Sequence, residues 1–458
     1  IETLIGRKGK NQLNMKDLPS DKIKDYAAED ADVTFQLKEL FSEKMEKGNV
    51  KKLFNDIEMP LTKVLADMEA EGINLDINSL SKFSEELGAD IEKLHKKIIA
   101  EAGTEFNLDS PKQLGQILFE VLKVTDKPKK TKTGQYSTSE DVLSKLANDH
   151  KIIPNILDYR SLKKLKSTYV DALPALINPN TKKLHTTYMQ TVAATGRLSS
   201  NNPNLQNIPI KTEKGREIRR TFIPRNKEFI LLAADYSQIE LRIIAALSED
   251  ENMQLAFVNK EDIHTATAAK VFGVKQNDVT REMRGKAKAV NFGIIYGQSA
   301  FGLSQNLNIS RGEAKEIIES YFIQYPKIRT YMDKTIEQAK KNGYVETILG
   351  RRRYLKDINS SNAIVRGHAE RNAVNAPIQG SAADIIKIAM INIHTGLKEG
   401  AYKSKMLLQV HDELVFDAHN NETDRLTAFV KDKMENAVTL SVPLDVEIGI
   451  GKNWLQAH

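Results

Sequence analysis

Residues 229–247 set the strongest limit on how this chain can fold. Six apolar residues, 229–234, follow one another without a break, long enough for a buried strand and short for a helix. From Gln238 the apolar positions Ile239, Leu241, Ile243, Ile244 and Leu247 take helical spacing. A strand therefore stops and a helix starts around Asp235, which stands on rigid backbone at the open end of a sheet. Its carboxylate either caps the helix, worth about 1 kcal/mol, or grips a cation.

A buried strand needs a sheet and a core around it, and 458 residues suggest about three domains. Hydrophobic and charged residues, 40% and 28%, are in globular proportion. No apolar run approaches the roughly 18 residues of a membrane span, so no membrane partner is expected. The chain has no Cys, which excludes disulfides and thiolate metal sites and is compatible with a reducing compartment. A net charge of +6 permits a polyanionic partner without demanding one. The first twenty residues lack the apolar core of a secretory signal, and the start at Ile1 suggests a fragment of something longer.

In chain order, a polar segment leads into a helix from about Ser20, closed near Gly48. A second helix is predicted over 56–71, with Pro60 tolerable only in its first turn and Gly72 as its cap. Charged helices follow to about Leu173, broken by the insert 126–137. That insert carries Lys127, Lys129, Lys130 and Lys132 and reads as a mobile loop, either a solvated tip or a phosphate contact. Residues 195–209, with Arg197, Asn204, Gln206 and Asn207, form an exposed polar loop or a surface for groove acceptors.

Beyond the central stretch, Arg284, Lys288, Phe292 and Tyr296 recur every four residues. Each step rotates about 40°, so they form one slowly drifting stripe. Two cations at one end can clamp a triphosphate, and a ring at the other can stack a base. Amphipathic surface helices do not normally mix charges and rings on one stripe. Gly293 and Gly297 would let a ligand or backbone approach. The spacing recurs in Arg371, Asn375 and Gln379, ahead of a long helix from about Ala382, with Pro377 expected to kink or restart it. These amides are either satisfied structural groups or reporters on base-pair edges.

Two apolar strands, 406–410 and 414–416, flank His411-Asp412-Glu413, as in a hairpin with acids at its turn. Asp412 there is either a turn residue or a second strand-borne carboxylate. Brought beside Asp235 it would repel it unless divalent cations lay between them, the arrangement used for phosphoryl and nucleotidyl transfer.

Asp235-Tyr236-Ser237-Gln238-Ile239-Glu240-Leu241-Arg242, the stripe from Arg284 ending Asn291-Phe292-Gly293-Ile294-Ile295-Tyr296-Gly297, and Gln409-Val410-His411-Asp412-Glu413 resemble motifs A, B and C of the family A DNA polymerases, bacterial members above all. The resemblance runs from about residue 20 to the C-terminus. It implies an α+β right-hand fold, with an antiparallel palm sheet, helical fingers and thumb, and a truncated exonuclease-like remnant in front. The implied divisions are 1–50 for the remnant, 51–74 for a palm-entry helix and 75–185 for the thumb. Palm (186–248), fingers (249–395) and palm again (396–458) complete the hand.

By the same resemblance, Asp235, Asp412 and the Tyr236 carbonyl would hold two Mg²⁺ ions, for which Mn²⁺ can substitute, with Glu413 auxiliary near the primer end. Arg284, Lys288, His264 and Gln238 would bind the incoming deoxynucleoside triphosphate, and Lys288 would donate a proton to pyrophosphate. Phe292 would pack on the sugar and base, its Phe identity going with discrimination against dideoxynucleotides. Glu240 and Tyr296 would crowd the 2′ position. Arg197, Gln379, Asn204, Gln206, Asn207, Arg371, Asn375 and His411 would meet the primer-template duplex, with the basic insert as thumb tip. The implied activity is template-directed DNA synthesis by a cytoplasmic, monomeric enzyme. Tyr26 and Asp30 resemble the last motif of a proofreading exonuclease, but its other carboxylates are absent from residues 1–25, so no proofreading is expected. Two alternatives are a phage-type single-subunit RNA polymerase, which Glu240 opposes, and a non-catalytic DNA-end-binding module.

Overall fold

The computed structural model describes residues 1–210 and 212–458. Four antiparallel strands form its central sheet: β1 (Phe229–Tyr236), β2 (Lys405–Val410), β3 (Glu413–His419) and β4 (Val446–Gly451), in spatial order β4-β1-β3-β2. The inner position of β1 accounts for its unbroken apolar run. Leu232, Ala234 and Tyr236 enter one core with Ile239 and Ile378, while Leu231 and Ala233 enter a second with Val415 and Trp454.

β1 stops at Tyr236, and the helix Ile239–Ser248 starts after Gln238, whose backbone is left-handed. Asp235 therefore belongs to the strand and caps nothing, which removes the capping alternative. Register places Asp235 between Glu447 of β4 and Glu413 of β3. β2 and β3 meet at a two-residue turn, His411-Asp412, with His411 at φ 56°, as tight hairpins require.

Helical backbone runs from Lys51 through a π turn at Phe54–Glu58 into Met59–Glu71, so Pro60 lies inside it, just past the π turn, and not in a first turn as expected; Gly72 ends it. Its Leu61, Val64, Leu65 and Met68 join the larger core. Ile77–Ala102 packs on Ile152–Leu165, and Ile98, Leu118 and Ile153 are among the residues of a separate core there. The basic insert differs from the expected mobile loop: Lys130 bridges Tyr136, Ser137 N–H donates to Lys129 O at 2.8 Å, and Lys130 stands over the Tyr136 ring. Hydrogen bonds close it into a small hairpin.

A third correction concerns Pro377. One helix, Ala363–Glu399, runs through it without restarting, and begins well before Ala382. Pro377 cannot donate a helical hydrogen bond, but Ala373, Val374, Ala376 and Ile378 are all buried around it. Packing on both sides of the break outweighs the local preference.

Candidate functional site

The end of the sheet gathers acids. Asp235 faces Glu413 and Glu447 across adjacent strands, and Tyr236 N–H donates to the Asp412 carbonyl at 3.2 Å. Like charges opposed across a sheet destabilise it. Burial, then the charges of Asp412 and Glu413, push Asp235 up to about 7, with His458 acting in the opposite direction. Burial, then Glu240, push Asp412 up to about 6 against the pull of Arg197. Two half-buried carboxylates this short of positive charge fit a divalent cation. Among the described residues no group of three or more His, Cys, Asp or Glu side chains could hold a metal ion. Any cation here would use these two acids with main-chain or substrate oxygens.

On the adjoining helix, buried Glu240 accepts from Arg197 Nη2 at 2.5 Å and from the Tyr296 hydroxyl. That pairing ties residues from three segments into one cluster beside Asp412. The stripe itself lies on the helix Arg281–Ile295 with Tyr296 at its C-cap. Lys288 is exposed and has no ion-pair partner among the described residues. Arg284 instead pairs with Asp262 at 2.5 Å. Phe292 lies between His264 and Tyr296, with ring centroids 5.9 and 6.1 Å away.

His264 is 2% exposed, and burial, reinforced by Arg284 and Lys288 over the opposing Asp262, pushes it down to about 4. Thr267 donates to Asn291 Oδ1, so the Asn291 amide donates to His264 Nδ1, leaving a neutral ring with its proton on Nε2. The ring sits behind the stripe rather than on it.

A cavity of about 750 Å³ runs along the stripe, lined by Lys288, Phe292, Tyr296, Gly297, Gln298 and Arg371 among others. Gly297 has φ +68°, and a Cβ there would lie 2.9 Å from Arg371 Cγ, so this turn needs glycine twice over. A smaller cavity, about 100 Å³, lies at Asp412, lined also by Arg197, Gln206, Lys387, Gln409 and His411 among others. The larger space thus follows the cations and rings, not the acids.

The remaining predicted residues are placed unevenly. Gln379 is half-buried, and Asn375 reaches the Tyr296 carbonyl at 3.5 Å while its Oδ1 is buried without a partner among the described residues. Gln238 Oε1 is likewise unpartnered. Gln206 spends its amide on Gln409 and Ser200, and Asn204 caps the turn Leu205–Asn207. Arg371 bonds His368 at 2.8 Å, and Asn207 and His411 are exposed. Lys127 and Lys129 lie across a separate cavity of about 1250 Å³ from Gln305 and Asn308, away from the carboxylates.

Sequence reasoning missed Glu447, Asp262, Arg219, Trp454 and His458. Only Trp454 carried a compositional signal, as the single tryptophan. The others reach the site through strand register or from distant segments.

The family model for DNA polymerase family A matches residues 77–456. The chain is 51% identical over 418 residues to DNA polymerase I of Bacillus caldotenax, covering 91% of this chain and 47% of that protein. It is 47% identical over 456 residues to DNA polymerase I of Bacillus subtilis (strain 168), covering 100% and 51%. It spans about half the length of these relatives. Among solved structures, the POL domain of Pol1 from M. smegmatis, in complex with DNA primer-template and dNTP, matches with TM-score 0.88 and 44% identity, over 92% of this chain and 74% of that one.

Proposed function

This chain belongs to DNA polymerase family A, and on that premise we propose that it extends a primer 3′-hydroxyl by template-directed addition of deoxynucleotides, releasing pyrophosphate. The observation that carries the proposal is the register of β1 against β3. It brings Asp235 and the Asp412 turn, far apart in sequence, to one end of the sheet beside Glu240, Tyr296 and Arg197. The M. smegmatis relative, solved with primer-template and dNTP, supports the same partners here.

Asp235, Asp412 and the Tyr236 carbonyl would hold two Mg²⁺ ions, or Mn²⁺, which when bound supply activation of the 3′-hydroxyl and charge stabilisation at the leaving phosphates. Lys288, exposed and unpaired by any acid among the described residues, meets the triphosphate and donates a proton to the departing pyrophosphate. Arg284 joins it by exchanging Asp262 for phosphate, and His264 Nε2–H and Gln238 are further donors on that side. Phe292 carries the sugar and base. Glu240, fixed from two directions by Arg197 and Tyr296, presents a bulky acid where a 2′-hydroxyl would lie.

Arg197, Gln379, Asn375 and Arg371 contact the duplex near the primer end, where minor-groove acceptors common to all pairs let geometry be checked without reading sequence. Asn204, Gln206, Asn207 and His411 flank them, and the basic hairpin grips the duplex further back. The proposed division is 1–50 remnant, 51–74 palm entry, 75–185 thumb, 186–248 and 396–458 palm, and 249–395 fingers. Residues 1–458 alone would not proofread. The protein would act as a monomer in the bacterial cytoplasm; among the described residues no helix is long and apolar enough to cross a membrane.

The test is a time course on a labelled primer-template with each nucleotide omitted in turn. Extension should halt at each template position calling for the omitted deoxynucleotide. Efficient use of ribonucleotides, or binding without extension, would overturn the proposal.

A further inference from the structure

Trp454 is the chain's only tryptophan and is fully enclosed. Its indole Nε1–H donates to Glu413 Oε1 at 2.9 Å. Arg219 approaches the other carboxylate oxygen at 3.5 Å, and its guanidinium lies 4.1 Å from the Trp454 ring centroid. Phe222 meets that ring edge-on, with centroids 5.4 Å apart, and His458 Nδ1 stands 3.3 Å from Glu413 Oε1. The helical turn Trp454–Ala457 is seated on β4 through Gly449 and Gly451. A Cβ at either glycine would lie 2.1 Å from the Ala457 carbonyl oxygen or 2.4 Å from Gln456 Cβ. No larger residue lets the turn come so close.

Glu413 is therefore a third carboxylate in register with Asp235, yet it is 3% exposed and bonded to Trp454 and Arg219. We propose that Trp454, supported by Arg219, is a positioning residue for nucleotidyl transfer: it holds Glu413 aside, so that this carboxylate does not join Asp235 and Asp412 in holding cations at the end of the sheet. This rests on the polymerase assignment above. A charge-assisted hydrogen bond fixes one carboxylate rotamer, and the Arg219 charge offsets the Glu413 charge that would otherwise add fully to the repulsion on Asp235. A freed Glu413 would compete with the pair for the same cations.

Trp454→Phe removes the N–H and keeps a ring against Phe222 and Arg219. Single-turnover incorporation by this variant should slow by about 10- to 100-fold, the usual effect of losing an outer partner of a metal site. Mn²⁺ affinity, read by electron paramagnetic resonance with a dideoxy-terminated primer-template, should hold or tighten, because a freed Glu413 adds a carboxylate at the same end of the sheet. Primer-template affinity and the KM for deoxynucleotide should stay close to wild type, while the unfolding midpoint falls from the lost buried ring volume and hydrogen bond. In a Glu413→Ala background the same substitution should change the rate by less than about twofold, because its route runs through that carboxylate. Equal slowing in both backgrounds would overturn the proposal, as would a wild-type rate or a loss of Mn²⁺ affinity in Trp454→Phe. So would a loss of rate accompanied by weaker duplex binding. A wild-type chain that failed to extend primers would instead remove the polymerase assignment itself.

Discussion

Asp235 at about 7 and Asp412 at about 6 both lie above the 3.8 of an ordinary aspartate. Between about pH 4 and 7 the folded chain therefore binds more protons than the unfolded one. The stability this pair contributes is fully present below about pH 4 and falls progressively as pH rises to about 7. In metal-free buffer, the variant with Asp235→Asn and Asp412→Asn should come closest to wild type near pH 4 and unfold at an increasingly higher temperature up to about pH 8. Mg²⁺ should narrow that gap by binding the wild-type fold. A gap independent of pH would contradict the electrostatics of the pair. Lys288 gives a second prediction at this scale. Lys288→Ala should lower the incorporation rate by about 10²-fold or more while primer-template affinity holds, as measured by quench kinetics beside a binding titration. Equal losses in both would place Lys288 on the duplex instead of the triphosphate. Phe292→Tyr should increase dideoxynucleotide acceptance, measured by competition with the deoxy form, and unchanged selectivity would count against a sugar pocket at the ring.

Elements were legible where one periodicity served one environment. β1 could be read because both its faces are buried, and the stripe because 281–295 is one helix. Pro377 misled because a rule about one missing N–H gave way to side chains packed on both sides of it. The pairing of Arg284 with Asp262 and of Trp454 with Glu413 was not legible, since no local pattern says which distant segments meet. The same holds for a buried network joining three segments. Arg351 bonds Glu58 and Asp384, Lys387 bonds Glu58, and the Thr347 hydroxyl donates to Asp384. Asp384 and Lys387 are fully buried. Removing one member strands an uncompensated charge, so Arg351→Met should destabilise the protein by about 3–5 kcal/mol. Breaking the exposed Lys47–Glu43 pair should cost under about 0.5 kcal/mol. Comparable midpoints for the two variants in urea would contradict the network's role.

At the scale of the whole molecule, the two main cores lie on opposite faces of the central sheet and leave one end of it open, where the acids, the Glu240 cluster and the stripe converge. The sequence motifs named most of those residues, by resemblance more than by spacing. Their convergence needed the strand register and the paths of two long helices. What the assembled hand is proposed to do depends on Asp235 and Asp412 acting together on a nucleotide's phosphates. The most direct measurement is single-turnover incorporation of one deoxynucleotide with Mg²⁺ by wild type, Asp235→Ala and Asp412→Ala, alongside duplex affinity. Each variant should lose activity by on the order of 10³-fold or more while binding primer-template nearly as well as wild type. Either variant incorporating at close to the wild-type rate would contradict the account.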